Sequence, residues 1–191
     1  MYTHYLVVDL EATCDEDHRI PREETEIIEI GAVLVDAATL APVEELQTFV
    51  RPMRHRTLTP FCMRLTTITQ ADVDAAPRFP EALARVRALV GKRRVQLASW
   101  GAYDRNQLER DARRHGVALP FGAGHLNIKD AFARLAGEGR GLGTVAALRR
   151  VGLAFEGTHH RGIDDARNIA RLLPYALGRR PIAGARAEAR R

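Results

Sequence analysis

The sequence predicts an α/β protein: a mixed sheet of three antiparallel strands followed by parallel ones, flanked by helices. Two observations carry this expectation. Before residue 51 the apolar runs are short, β-branched and spaced in a way that favours hairpins over crossover connections. After residue 79 the apolar period changes to three and four, the spacing of helices that cover a sheet.

Residues 5–9, Tyr-Leu-Val-Val-Asp, are apolar on both faces until Asp9, as a central strand requires. Residues 12–24 are polar and interrupted by Pro21, so they predict a loop. Strands follow at 27–36 and 45–50, with a turn from Ala37 to Pro42 between them. Pro80 suits the first turn of a helix over 80–91, where Leu83, Val86, Leu89 and Val90 share one face. A fourth strand is expected at 95–100, then helices at 103–115, 127–135, 144–151 and 164–177. Gly116, Gly152 and Gly178 stand where three of them should stop. The glycines Gly139, Gly141 and Gly143 have no strand before them and predict a flexible connector, not a phosphate loop.

The chain has 191 residues, 29 basic and 24 acidic, and 46% of it is apolar. That is enough for one domain with a real core, and it excludes wholesale disorder. No apolar run approaches the ~20 residues of a bilayer span, so no membrane partner is expected. The two cysteines, Cys14 and Cys62, are too few for a disulfide scaffold. They read as small packing residues in a reducing, cytoplasmic setting. Residues 178–191 hold five arginines against Glu188, which is four of the five net positive charges. The expected organisation is therefore a folded domain over 1–178 and a basic tail over 179–191. Such a tail either frays in solvent or contacts a polyanion.

Three segments carry chemistry. On the first strand Asp9 and Glu11 are two apart, so both carboxylates face the same way. Paired acids at the end of a central strand repel one another unless a cation neutralises them, and hard oxygen donors suit Mg²⁺ or Mn²⁺. Asp104 follows the fourth strand, at the edge where open α/β sheets bind ligands, although it could equally cap its helix. His159-His160-Arg161-Gly162-Ile163-Asp164-Asp165 leads into the last helix. There His160 and Asp165 could converge, and a neutral imidazole is well placed to take a proton from water near pH 7. His159 is expected to be a solvent-exposed bystander.

Taken in order, these acids and the histidine resemble the DEDDh exonucleases of the RNase H-like fold. The runs Asp9-Leu-Glu-Ala-Thr-Cys14, Glu26-Ile-Ile-Glu-Ile30, Phe61-Cys-Met-Arg-Leu-Thr66 and Gly162-Ile-Asp-Asp-Ala166 extend the likeness. They are similar to the branch that contains the eukaryotic histone-mRNA 3′-end exonuclease and its bacterial relatives. The resemblance covers roughly residues 5–177 and departs from that branch at Leu10, where a Phe is usual, and at Tyr103, where a Trp is usual.

The resemblance implies 3′→5′ removal of nucleoside 5′-monophosphates from single-stranded nucleic acid, with RNA the favoured strand and single-stranded DNA the other. It implies two Mg²⁺ ions, replaceable by Mn²⁺, on Asp9, Glu11, Asp104 and Asp165. His160 would be the general base and Glu11 a catalytic ligand. The terminal nucleotide would meet Leu10, Ala12, Thr13, Leu65, Tyr103 and His160. A catalytically silent nucleic-acid-binding module on the same fold is the alternative, and it would be expected to have lost an acid.

Overall fold

A computed structural model describes residues 1–17, 19–138 and 141–183. One five-stranded sheet has the order β3-β2-β1-β4-β5. Here β1 is His4–Ala12, β2 Ile27–Asp36, β3 Pro42–Phe49, β4 Val95–Ser99 and β5 His125–Asn127. The helices are α1 (Pro60–Thr66), α2 (Gln70–Asp74), α3 (Phe79–Val90), α4 (Tyr103–His115), α5 (Ile128–Ala136), α6 (Thr144–Arg150) and α7 (Gly162–Ala176). β1, β2 and β3 pair antiparallel, and β4 and β5 extend the sheet in parallel on the other side of β1. This is the mixed sheet the sequence predicts.

The alternation of β1 explains the two helical layers. Leu6, Val8 and Leu10 enter an apolar cluster with residues of α3 and α4. Val7 points to the opposite face, into a second cluster with α5, α6 and α7. A strand with helices on both faces needs apolar residues at consecutive positions, which Leu6-Val7-Val8 supplies. The pairing directions also fix one functional edge. β1, β3 and β4 end there, and β2 begins there.

Three elements escape the apolar periodicity. α1 and α2 have seven and five residues, too short to display a period, and both are set by their caps. Thr59 accepts the Cys62 N–H before α1, and Thr69 with Asp72 forms a capping box at α2. β5 has only three residues. The third strand starts at Pro42, inside the expected turn, and the fourth ends at Ser99.

α7 begins at Gly162, two residues before the expected start, because its first turn lies directly on β2. A Cβ on Gly31 would stand 2.0 Å from the Gly162 carbonyl carbon. Ile182 is 7% exposed and packs into the second cluster, so the packed chain runs past the expected boundary at 178. Residues 184–191 of the expected basic tail, and Gly139 of the expected connector, lie outside the described residues. Among the described residues no helix is long and apolar enough to cross a membrane.

Candidate active site

Asp9 and Glu11 leave β1 on the face that carries Val7, toward α7, and the pairing with β2 shifts register between Glu11 and Ala12. Asp165 comes from the first turn of α7. Oxygens of Asp9, Glu11 and Asp165 lie within 4.8 Å of one another. The sequence reading and the fold thus bring the same three carboxylates together.

That convergence depends on where α7 starts. Glu29, fully buried in β2, accepts the Gly162 N–H at 3.0 Å and lies 3.3 Å from Arg161 Nε. Its other oxygen accepts from Gln47 Nε2 at 2.6 Å. The helix is therefore tied to the sheet three residues before Asp165. The sequence reading does not single out Glu29, because an acid inside an apolar strand carries no spacing signal.

Asp104 stands in the first turn of α4, 4% exposed. It is not the cap of that helix: Ala102 holds the N-cap position, and Asp104 Oδ1 accepts the Leu10 N–H at 3.1 Å. This bond joins α4 to β1 between the two strand acids.

The acids are uncomfortable without a cation. Burial, then the charges of Asp104 and Asp165, hold the Asp9 carboxyl well above its usual range. Burial and then Asp165 push Glu11 up to about 9. Burial raises Asp104 to about 7 and raises Asp165 as well. A cluster of carboxylate oxygens in a cavity lined, among the described residues, by no arginine or lysine is a donor set suited to a hard divalent cation.

His160 adopts a left-handed conformation, φ 65°, and its N–H donates to Asp165 Oδ2 at 2.7 Å. The turn thus folds back onto the ligand, as the five-residue spacing suggested. Burial, with His159 second, lowers its pKa from the ordinary value. His159 is exposed, as expected, but it is not a bystander. Its Nε2 lies 3.7 Å from Asp165 Oδ1, and its ring meets Phe155 and His160 edge-on at 5.3 and 4.0 Å.

These groups line a cavity of about 340 Å³. Of the residues expected to meet a nucleotide, Leu10, Ala12, Leu65, Tyr103 and His160 border it. Leu65 belongs to none of the apolar clusters, so it is not a plain core position. Leu10 is mostly committed to the core. Thr13 is a correction: its N–H donates to the Glu26 carbonyl at 2.8 Å and its Oγ accepts the Glu26 N–H at 3.0 Å. With its N–H and hydroxyl oxygen both bonded to Glu26 and the side chain buried, it braces the strand exit and does not line the cavity. Trp100 and Thr144 line the cavity without having been expected there. Cys62 is fully buried with Cys14 packed against it, which agrees with packing roles.

A single sheet ending in buried carboxylates beside a histidine turn defines a nuclease of the RNase H-like class. The chain belongs to the exonuclease family, whose model matches residues 6–173. Exonucleases of this DEDDh type depend on divalent metal ions.

Among curated relatives, 3'-5' exoribonuclease 1 of Homo sapiens is 32% identical over 180 residues, which cover 90% of this chain and 51% of that protein. The 3'-5' exonuclease eri1 of Schizosaccharomyces pombe is 30% identical, covering 89% and 66%. The chain thus spans about half the length of the human relative. The solved nuclease domain of 3'hExo, a DEDDh family member bound to rAMP, superposes with a TM-score of 0.83 at 30% identity, covering 93% of each chain.

Proposed function

We propose that this chain is a metal-dependent 3′→5′ exonuclease that releases nucleoside 5′-monophosphates from the 3′ ends of single-stranded nucleic acid, with RNA preferred. The observation that carries the reading is the convergence of the Asp9, Glu11 and Asp165 carboxylates at one end of the sheet, in a cavity of small-ligand size lined, among the described residues, by no arginine or lysine. The names of the relatives, exoribonucleases acting from 3′ to 5′, favour RNA.

Asp9, Glu11 and Asp165 would hold one divalent ion, and Asp9 with Asp104 a second. Bound there, two Mg²⁺ or Mn²⁺ ions supply charge compensation at the attacking and leaving oxygens and acidify water. The protein's own groups do the rest. A ring nitrogen of His160 takes the proton of the attacking water, its lowered pKa keeping it neutral and ready to accept. The Asp165 carboxylate holds the His160 backbone, so base and ligand move as one unit. Leu65 and Tyr103 wall the terminal nucleoside, Leu10 and Ala12 lie beneath it, and an apolar wall with one π face accepts any base. The cysteine count of two, too few for a disulfide scaffold, supports work in a reducing, cytoplasmic setting.

Incubating 5′-labelled single-stranded RNA and DNA side by side with Mg²⁺ or Mn²⁺ tests the proposal. The expected result is a ladder shortening from the 3′ end, faster on RNA, with 5′-monophosphates as product. Tight binding of intact strands without turnover would replace the enzyme by a binding module.

A further inference from the structure

We propose that Arg51, Arg54, Arg56 and Arg78 form a second anion-binding surface, which carries the sugar–phosphate backbone of the substrate strand upstream of the nucleotide being removed. The inference rests on the exonuclease reading and extends it to residues outside the acidic cavity.

Position comes first. The loop over residues 50–59 leaves the end of β3, and that end lies on the same edge of the sheet as Asp9 and Glu11. β3 is the second neighbour of β1, which places the loop roughly 10 Å to the side of the site at ~4.8 Å per strand. A strand whose 3′ end occupies the cavity and which runs along this edge toward β3 would pass over it.

The loop is fixed relative to the site by two tethers. Glu26, buried beside β1, accepts the N–H groups of Met53, Arg54 and His55 at 2.9, 2.8 and 2.9 Å. Its own backbone is bonded to Thr13, one residue beyond Ala12 of the cavity. Thr59 Oγ1 donates to the Cys14 carbonyl at 2.6 Å. Glu26 accepts from backbone donors and, among the described residues, forms no ion pair with the arginines of the loop.

Charge is the second observation. Elsewhere among the described residues several arginines pair with an acid, such as Arg93 with Glu44, Arg105 with Glu109 and Arg171 with Glu156, whereas others, such as Arg87 and Arg113, do not. Among the described residues none of Arg51, Arg54, Arg56 and Arg78 has such a partner. Arg51, Arg56 and Arg78 share a cavity of about 330 Å³ with Pro52 and Met53, closed by the Arg51 N–H on the Pro77 carbonyl at 2.8 Å. Asp74 is the one acid in its lining, and its Oδ1 already accepts from Gln70 Nε2 at 2.9 Å. Three arginines gathered around a single acid leave an excess of positive charge, and an anion relieves that cost. Arg54 extends the charge along the loop outside the cavity, which fits an extended polyanion better than a single small ion.

The test compares the parent with a triple variant, Arg51→Gln, Arg56→Gln and Arg78→Gln. Affinity for a labelled single-stranded RNA of about twelve nucleotides is measured by anisotropy with Ca²⁺ present, across a salt series. Turnover is followed on that strand and on a dinucleotide. The expected result is an about ten-fold weaker Kd and a salt slope shallower by about 1.4, two contacts at about 0.7 each. Turnover of the dinucleotide, too short to reach the loop, stays within about two-fold. An unchanged Kd and slope for the long strand overturns the proposal, as does an equal loss on both substrates. Should the triple variant fold poorly, Arg56→Gln alone decides by a slope change of about 0.7 or none. A parent that hydrolyses nothing defeats the enzyme reading, while the binding series still decides this one.

Discussion

The carboxylate of Glu29 accepts the backbone N–H of Gly162 at 3.0 Å, which joins the start of β2 to the first turn of α7. Gly162 also lies against the Asp9 carbonyl: a Cβ there would stand 3.0 Å from that oxygen. One contact region thus sets the distance between the strand that carries Asp9 and Glu11 and the helix that carries Asp165. Gly31 is part of it, since any side chain at that position would push the helix away. The metal triad is an outcome of helix docking, and Glu29 is the polar group that specifies the docking.

Removing Glu29 should therefore damage the site through the backbone. Glu29→Ala leaves the Gly162 N–H and the Arg161 guanidinium without their acceptor. We expect a loss of about 3 kcal/mol, at the low end for breaking a buried pair because Arg161 keeps some solvent. Divalent-ion affinity should weaken in parallel. Glu29→Gln keeps an acceptor for Gly162 and should recover most of the stability. Thermal unfolding and calorimetric Mg²⁺ titration of both variants check this, and an alanine variant with parental metal affinity would sever Glu29 from the site.

Metal removal should make stability fall with pH. Glu11 near 9 and Asp104 near 7 are raised in the folded chain, against roughly 4 when unfolded. Below about pH 4 both states are protonated and the stabilisation by these protons is complete. As pH rises toward those folded values the unfolded chain releases its protons first, so that stabilisation is progressively lost. Divalent ions replace the protons, so the gain in Tm on adding Mg²⁺ should grow between about pH 5 and about pH 9, with proton release on binding. Scanning calorimetry in chelator and in Mg²⁺ measures it. A metal-induced gain that does not vary with pH would show that the acids are ionised before the metal arrives.

Much of this site is legible in the sequence because each acid falls where an element ends. Asp9 and Glu11 close an apolar run, Asp104 opens a helix after a strand, and Asp165 follows a glycine at a helix start. Period and punctuation suffice for those. Thr13 is misread because its partner, Glu26, is thirteen residues away across a loop, and only the fold shows that its polar groups are taken. Glu29 is silent for the same reason. The part His159 plays depends on the left-handed turn at His160, which brings the His160 N–H and the His159 ring to Asp165 and which no residue pattern announces.

The two histidines make separable predictions. His160→Ala should cut kcat by ~10²–10⁴-fold, the usual contribution of a positioned base. Metal affinity should hold, because the contact with Asp165 is made by the backbone N–H, which survives the substitution. Alanine is strained at φ 65°, by about 1–2 kcal/mol, so His160→Asn is the better probe: asparagine tolerates that conformation and has no imidazole. His159→Ala removes a ring 3.7 Å from Asp165 and edge-on to His160, and its effect on rate should stay below about ten-fold. Single-turnover rates at saturating metal, with metal affinities of the same variants, separate the outcomes. If His160→Asn loses metal affinity and excess metal restores its rate, His160 orders the Asp165 turn and the proton goes elsewhere. If both variants lose rate equally with metal bound, the two edge-on imidazoles act together, and His159 belongs to the base.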